Sequence, residues 1–242
     1  MKHIVFELTG EMAMWRNPYE SMGAFSSIGP APSNIAGLIG AALGLASPRS
    51  HASSGPDMEK LEKMERNGLP WPVSEELLRW EEENDFHVAC RWTGGFPKRM
   101  PWNVNGHKEV RFTGDTLRIQ QQVIQNPSYE VAVRITNDKT ADELAHSLKN
   151  PAFRLYLGAS FCPAIIRTVS LQKEIPPRNN WACVREDLGF GEVTPFFRHI
   201  VNPDKTFERL RADGYWLYST PEQGGESRND PFVKGYIRQE GS

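Results

Sequence analysis

From Lys2 to Thr9 the chain alternates, with Ile4, Phe6 and Leu8 on one side and Val5, Glu7 and Thr9 on the other. A period of two predicts a β-strand with one better-buried face. The period changes further on, where Ile35, Leu38, Ile39, Ala42 and Leu43 recur at helical spacing. Pro30 and Pro32 hold the approach extended, and Ser33 stands where an N-cap belongs. Gly37, Gly40 and Gly44 share one face of this helix. Each glycine inside a helix costs roughly 1 kcal/mol against alanine, so three together imply a close approach to the backbone. Either the helix packs tightly on a sheet, or its N-terminus, with free N–H groups and the positive end of the dipole, receives a phosphate.

The remaining pattern supplies further elements. An acidic helix is expected from Asp57 to about Asn67, ended by Gly68, and a second one after a Ser74 cap. His87 to Trp92 reads as a strand. Thr93 to Thr116 is rich in glycine and proline, with Asn103-Val104-Asn105-Gly106 as a turn signal, and predicts a long protruding hairpin whose return leg runs through Gln120 to Ile124. Tyr129 to Ile135 alternates cleanly. Thr140-Ala141-Asp142-Glu143 forms a capping box that opens a helix with Ala141, Leu144, Ala145 and Leu148 on one face, bounded by Pro151. Ala164 to Leu171 is another strand. With the acidic helices and hairpin as insertions, the order is β-α-β-β-α-β, which predicts an α+β, ferredoxin-like (RRM-like) domain over 1–171. The insertion covers about 57–85, the hairpin thumb about 93–116, and a loop-rich extension with short strands 172–242. Topology of this kind serves RNA-recognition modules and unrelated enzymes alike.

Composition changes the picture little, and charge distribution changes it more. Of 242 residues, 39% are hydrophobic and 24% charged, as in ordinary globular proteins. No apolar stretch is long enough to cross a bilayer, and a strand pattern stands where a signal-peptide core would be. Cys90, Cys162 and Cys183 are far apart, which argues against a disulfide framework or zinc site and fits a cytoplasmic protein. The net charge of −2 hides two unlike modules. Asp57 to Asp85 holds ten acids and four bases, whereas Phe86 to Asn126 holds six bases and two acids. Those bases are Arg91, Lys98, Arg99, Lys108, Arg111 and Arg118, interleaved with Trp92, Phe96, Trp102 and Phe112. A charge run is usually a solvated face, and the acidic helices, with Glu81-Glu82-Glu83 as a helix end, are read so. Cations mixed with stacking surfaces suit single-stranded nucleic acid.

Catalytic signals are sparse. The six histidines show no metal-ligand spacing, and neither a nucleophile elbow nor a P-loop is present, so no metal and no cofactor is expected. His107 beside Lys108 can act as an acid–base pair for RNA cleavage, or simply touch phosphate or solvent. Trp15 and Arg16 can stack on and clamp a nucleotide, or plug a subunit interface.

Three stretches together resemble a known family. The opening strand with Trp15-Arg16-Asn17-Pro18-Tyr19, followed by Ser26 to Leu45 (S-S-I-G-P-A-P-S-N-I-A-G-L-I-G-A-A-L-G-L), resembles the N-terminal signature of the CRISPR-associated Cas five family. Val123 to Ile135 resembles the strand after that family's thumb, and Phe153 to Ala164 its second, glycine-containing signature. The resemblance spans Lys2 to about Leu171. It implies a non-catalytic subunit of a type I CRISPR Cascade complex that binds the 5′ handle of the guide RNA (crRNA). Such a subunit caps a filament of repeating backbone subunits and contacts the large subunit that recognises target DNA. On this chain the handle is expected near Trp15, Arg16, Asn17, Ser33 and Asn34, with the thumb packing over it. Two alternatives stay open: a metal-independent endoribonuclease that processes precursor crRNA, and an unrelated ferredoxin-like enzyme with a small ligand.

Overall fold

The fold is described from a computed structural model over residues 2–16, 25–46, 75–107, 116–175, 177–178, 180–185, 192–201, 207–219 and 230–234. The first helix expected from Asp57, the Ser74 cap, Asn17, Lys108, Arg111 and Phe112 lie outside these residues.

The alternating segments become the main sheet. Strand β1 (Lys2–Thr9) pairs antiparallel with β8 (Ser128–Ile135) on one side and β9 (Ile165–Gln172) on the other. β8 also pairs with β5 (His87–Trp92), and the short β13 (Val233–Lys234) completes the order β13-β5-β8-β1-β9. One face carries Ile4, Phe6, Leu8, Val88, Cys90, Trp92, Tyr129, Val131, Val133 and Ile135, all buried. Each large side chain there contributes about 1.5–3 kcal/mol of burial free energy. Helix α1 (Pro32–Leu43) covers this face with Ile35, Ile39 and Ala42. Helix α3 (Asp138–Lys149) adds Ala141, Leu144 and Leu148. The reverse face, with Val5, Ala89 and Ala132, is covered by Trp181, Ile175 and Phe232.

Helix boundaries differ from the pattern-based expectation for local reasons. α1 starts two residues earlier, because Pro32 is preorganised for the first helical position and Ala31 serves as N-cap. Ser33 is therefore inside the helix and is not its cap. Asn34 supplies the capping contact: its Oδ1 accepts a hydrogen bond from the Ala31 N–H at 2.8 Å. The helix ends in a Schellman turn, with Gly44 at φ 76° and the Leu45 N–H donating to Gly40 O at 2.9 Å. The three glycines do not all pack on a sheet. Gly40 faces Leu77 of helix α2 (Glu75–Glu83), and Gly37 meets no described atom within 4 Å. In α3 the cap is Asn137, whose side chain accepts from the Lys139 and Thr140 N–H groups, so the helix opens before the expected capping box. Glu81 is 4% exposed, so the acidic run at the end of α2 is not wholly solvated.

The thumb is a regular hairpin. Strands β6 (Lys98–His107) and β7 (Thr116–Gln125) pair from Lys98↔Gln125 to His107↔Thr116. Asn103 to Gly106 is ladder and not turn, since Asn105 opposes Arg118 and Gly106 opposes Leu117. At its base β7 also pairs with β2 (Met12–Ala13).

The segment after Gln172 is more regular than expected. β10 (Cys183–Arg185), β11 (Glu192–Val201) and β12 (Phe207–Tyr218) form an antiparallel sheet in the order β10-β12-β11. Trp216 and Tyr218 from β12 are buried in the same core as the main sheet. The expected irregular extension is thus corrected: it carries strands of 10 and 12 residues and contributes to the core.

Candidate nucleic-acid interface

Two tyrosines fix the loop that leads into α1. Tyr129 Oη donates to the Ile28 carbonyl at 2.5 Å, and Tyr218 Oη donates to the Pro30 carbonyl at 2.7 Å. Trp15 Nε1–H donates in turn to Tyr129 Oη at 2.9 Å. Burial pushes both phenols well above the usual tyrosine range, so they stay neutral donors. Burial likewise pushes the neighbouring Cys90 thiol up to about 12. Gly29 sits under the Tyr218 ring, where a Cβ would lie 2.4 Å from Cζ.

The second sequence signature packs against the first. Met14 N–H donates to Leu157 O at 2.9 Å, and Gly158 (φ 90°) leaves no room for a Cβ, which would lie 2.0 Å from Met14 O. Phe161 of the same loop stacks on Trp102 of the hairpin, with ring centroids 6.0 Å apart and planes at 10°.

On this scaffold β3 (Trp15–Arg16) pairs with β4 (Ser26–Ser27), Trp15 opposite Ser27 and Arg16 opposite Ser26. Strand alternation turns Trp15 inward and Arg16 outward. Arg99 arrives from the hairpin, and its Nε donates to Ser26 O at 3.4 Å. Phe25, half exposed, bridges to Gln122 of β7. Arg16, Arg99 and Phe25 thus converge around Ser26. The hairpin continues this surface, because register places Arg99, Pro101 and Asn103 on the same face as Gln122, Gln120 and Arg118. Arg99, Asn103, Gln120 and Arg118 are exposed. Six residues separate Asn105, the partner of Arg118, from Arg99, so the two cations span about 20 Å along the strand. A surface of spaced cations, amides and one aromatic can hold phosphates while stacking a base.

Several expected contacts belong elsewhere. Trp15 is 3% exposed and part of the core, edge-on to Tyr129, so it offers no stacking surface. Trp92 is buried as well. Arg91 is held by Glu130 (Nε to Oε1, 2.8 Å) and Asn180 (Nη1 to Oδ1, 3.3 Å) on the reverse face of the main sheet, which makes it a structural cation. Lys98 is exposed but faces the other side of the hairpin, with Met100 and Trp102. Ser33 is half-buried and Asn34 exposed at the start of α1. His107 lies on β6, and its side chain is outside the described residues. Pattern reading missed Phe25, Gln120, Asn103 and the two loop-holding tyrosines. Phe25 stands directly before the first signature, whereas nothing local marks Tyr218, which acts 188 positions from its partner. Among the described residues, no three His, Cys, Asp or Glu side chains gather as a metal site. No described helix is long and apolar enough to cross a membrane.

The sequence profile of the family described as CRISPR-associated protein (Cas_Cas5) matches residues 3–226. The chain belongs to this family. The match extends through the carboxy-terminal sheet, beyond the signatures at Lys2 to Leu171. A chain of a structure described as a CRISPR RNA-guided surveillance complex shares the fold, with a TM-score of 0.52 at 14% identity over 88% of this chain and 91% of that one. Weaker similarity extends to the Streptococcus mutans protein SMU1763c (TM-score 0.43, 13% identity, 93% and 96% covered). It also extends to a chain of a Type III-B Cmr-beta complex bound to cognate target RNA and AMPPnP (TM-score 0.45, 13% identity, 90% and 84% covered). No curated protein matches the sequence.

Proposed function

We propose that this Cas5-family chain is a non-catalytic subunit of a type I CRISPR effector complex, a Cascade, and that it holds the 5′ handle of the guide RNA. The observation that carries this reading is the convergence of Arg16, Arg99 and Phe25 at Ser26, continuous with the Arg118 face of the hairpin. Membership of a CRISPR-associated family supports it. So does the strand order: numbered within the β-α-β-β-α-β frame, the main sheet reads 4-1-3-2 with antiparallel neighbours, the ferredoxin-like arrangement of RNA-recognition modules. The handle runs along this face from the hairpin toward Asn34. The hairpin meets the first repeating backbone subunit, and the body meets the large subunit. Target DNA is engaged through the complex, in the cytoplasm.

The test is reconstitution of the complex with the co-encoded subunits and a repeat–spacer RNA. An Arg16→Ala, Arg99→Ala, Arg118→Ala variant folds but retains less guide RNA. Three lost phosphate contacts flatten the dependence of log affinity on log salt by about two. Wild-type RNA retention and salt dependence refute the assignment of this face. Incubation of the purified protein with repeat RNA in chelator gives no cleavage; specific cleavage refutes the non-catalytic reading.

A further inference from the structure

We infer that Phe161 is a positioning residue: stacked on Trp102, it braces the hairpin from behind and so sets the gap between the hairpin and Arg16. The hairpin is a two-stranded ribbon, which is marginal on its own. Such a ribbon bends most easily out of its own plane. Among the described residues its strand-to-strand supports end early: β2 pairs with β7 only at Gln125 and Ile124, and Phe25 bridges to Gln122. Arg118 lies six residues beyond Ile124, about 20 Å along the strand. A tilt of about 10° at Ile124 would move Arg118 by about 3.5 Å, more than a hydrogen bond tolerates. The two faces of the ribbon meet different restraints. On the face shared with Pro101 and Asn103, Arg99 Nε donates to Ser26 O at 3.4 Å, a long and weak contact. On the opposite face Met100 and Trp102 pack against the core, and Trp102, the farther along the ribbon, stacks on Phe161 with ring planes at 10°. The ribbon is thus held between Ser26 and Phe161, and loss of the stack frees it to swing away from Ser26.

Phe161 is a firm support because its loop is closed and tied to the body. The Leu157 N–H donates to Cys162 O at 2.7 Å, the Cys162 N–H donates to Ala159 O at 2.9 Å, and Tyr156 bridges to Pro163. Cys162, next to Phe161, is fully buried. The Met14 N–H donates to Leu157 O, and Arg16 follows two residues later in β3. The brace and Arg16 therefore belong to one block, and the stack fixes where the hairpin cations stand relative to Arg16. Phe161 itself is 36% exposed, which suits contact with a projecting ribbon more than a place in the core. Phe153, 56% exposed just before the same loop, lines the cavity beside α3 instead.

This role rests on the reading of the Arg16–Arg99–Arg118 face as the seat of the guide RNA. Spin labels at Asn103 and at Lys139, both exposed, report the hairpin angle in the full-length chain with Cys183→Ser. Phe161→Ala broadens and shifts the distance between them. Phe161→Trp, which keeps an aromatic face, restores it, and Phe153→Ala leaves it as in the wild type. In the complex reconstituted with its co-encoded subunits and a repeat–spacer RNA, Phe161→Ala weakens guide-RNA binding about tenfold and flattens its salt dependence by about one, as loss of a hairpin phosphate contact would. Arg118→Ala then has less than about a twofold further effect, while Arg16→Ala keeps its full effect. A general loss of stability would blunt both alike. An unchanged distance in Phe161→Ala, or an equal effect of Arg118→Ala with and without Phe161, overturns the positioning role. If the Arg16→Ala, Arg99→Ala, Arg118→Ala complex keeps its RNA as the wild type does, the functional reading of this face fails and takes the role of Phe161 with it. If that triple variant loses RNA and Phe161→Ala does not, the positioning role alone is refuted.

Discussion

Gly29→Ala is the sharpest probe of how the RNA-facing loop is held. An added Cβ would lie 2.4 Å from Tyr218 Cζ and 2.7 Å from Cε1 and Cε2. The ring cannot retreat easily, because it is 1% exposed and its hydroxyl is tied to Pro30 O. Overpacking of this kind costs about 1–3 kcal/mol. In a chain of this size each kcal/mol lowers the melting temperature by about 2–4 °C, so a fall of about 2–12 °C is expected. The cost should depend on Tyr218. Tyr218→Ala alone destabilises by about 3–5 kcal/mol, as large aromatic truncations do. In that background the methyl at position 29 enters vacated space. Gly29 is not among the positive-φ glycines, so alanine also lowers the entropy of the unfolded chain and the substitution becomes neutral or slightly stabilising. Urea and thermal unfolding, followed by tryptophan fluorescence and far-ultraviolet circular dichroism, measure all four corners of the cycle. A single mutant within about 0.5 kcal/mol of wild type, or equal costs in both backgrounds, refutes the packing argument.

Three other outcomes are expected. Arg91→Ala strands a partly buried Glu130 and costs about 1–3 kcal/mol, yet leaves guide-RNA retention unchanged, as measured by denaturation and by RNA recovered per complex. Asp85 is held below the usual carboxylate range by its hydrogen bond to Lys234, and Asp230, against the opposing effect of burial, by Arg134. A depressed folded pKa contributes stability above the unfolded value of about 3.9 and loses it as pH falls through the folded value. Protection of the Val233 and Lys234 amides, measured against the intrinsic exchange rate at each pH, should therefore fall selectively below about pH 4, more than in an Asp85→Asn, Asp230→Asn variant, which starts weaker and responds less. Cys90 and Cys162, pushed up to about 12 and about 11 by burial, should resist iodoacetamide at about pH 8 in the folded protein and react once it is unfolded, as mass spectrometry would show.

Much of the main sheet is legible in the sequence, because alternation over Lys2–Thr9 and Tyr129–Ile135 follows directly from one-sided burial. The hairpin is legible as a hairpin, but its turn is not. Asn103 to Gly106 has turn chemistry, yet the ladder continues through it, since pairing with Thr116 to Gln120 outweighs local preference. At the candidate interface, residue type was a poor guide to exposure. Trp15 and Arg91 have the chemistry of RNA contacts, but a tyrosine hydroxyl and a glutamate 114 and 39 positions away claim them. Arg99 and Arg118 face outward because strand alternation puts them there. Which cations share a face depended on register, which became visible only once the ladder was known.

The Tyr218–Pro30 hydrogen bond has a consequence in time. Its partners are 188 positions apart, and chains elongate at about 5–20 residues per second, so the anchor for the loop is synthesised roughly 10–40 s after the loop itself. β13, which closes one edge of the main sheet, comes later still. A nascent chain stopped before Tyr218 can display Arg16 and Arg99 but cannot hold Pro30 in place. Competence to grip the handle, on the function proposed for this chain, therefore arrives only once Tyr218 has been synthesised and has folded back onto the loop.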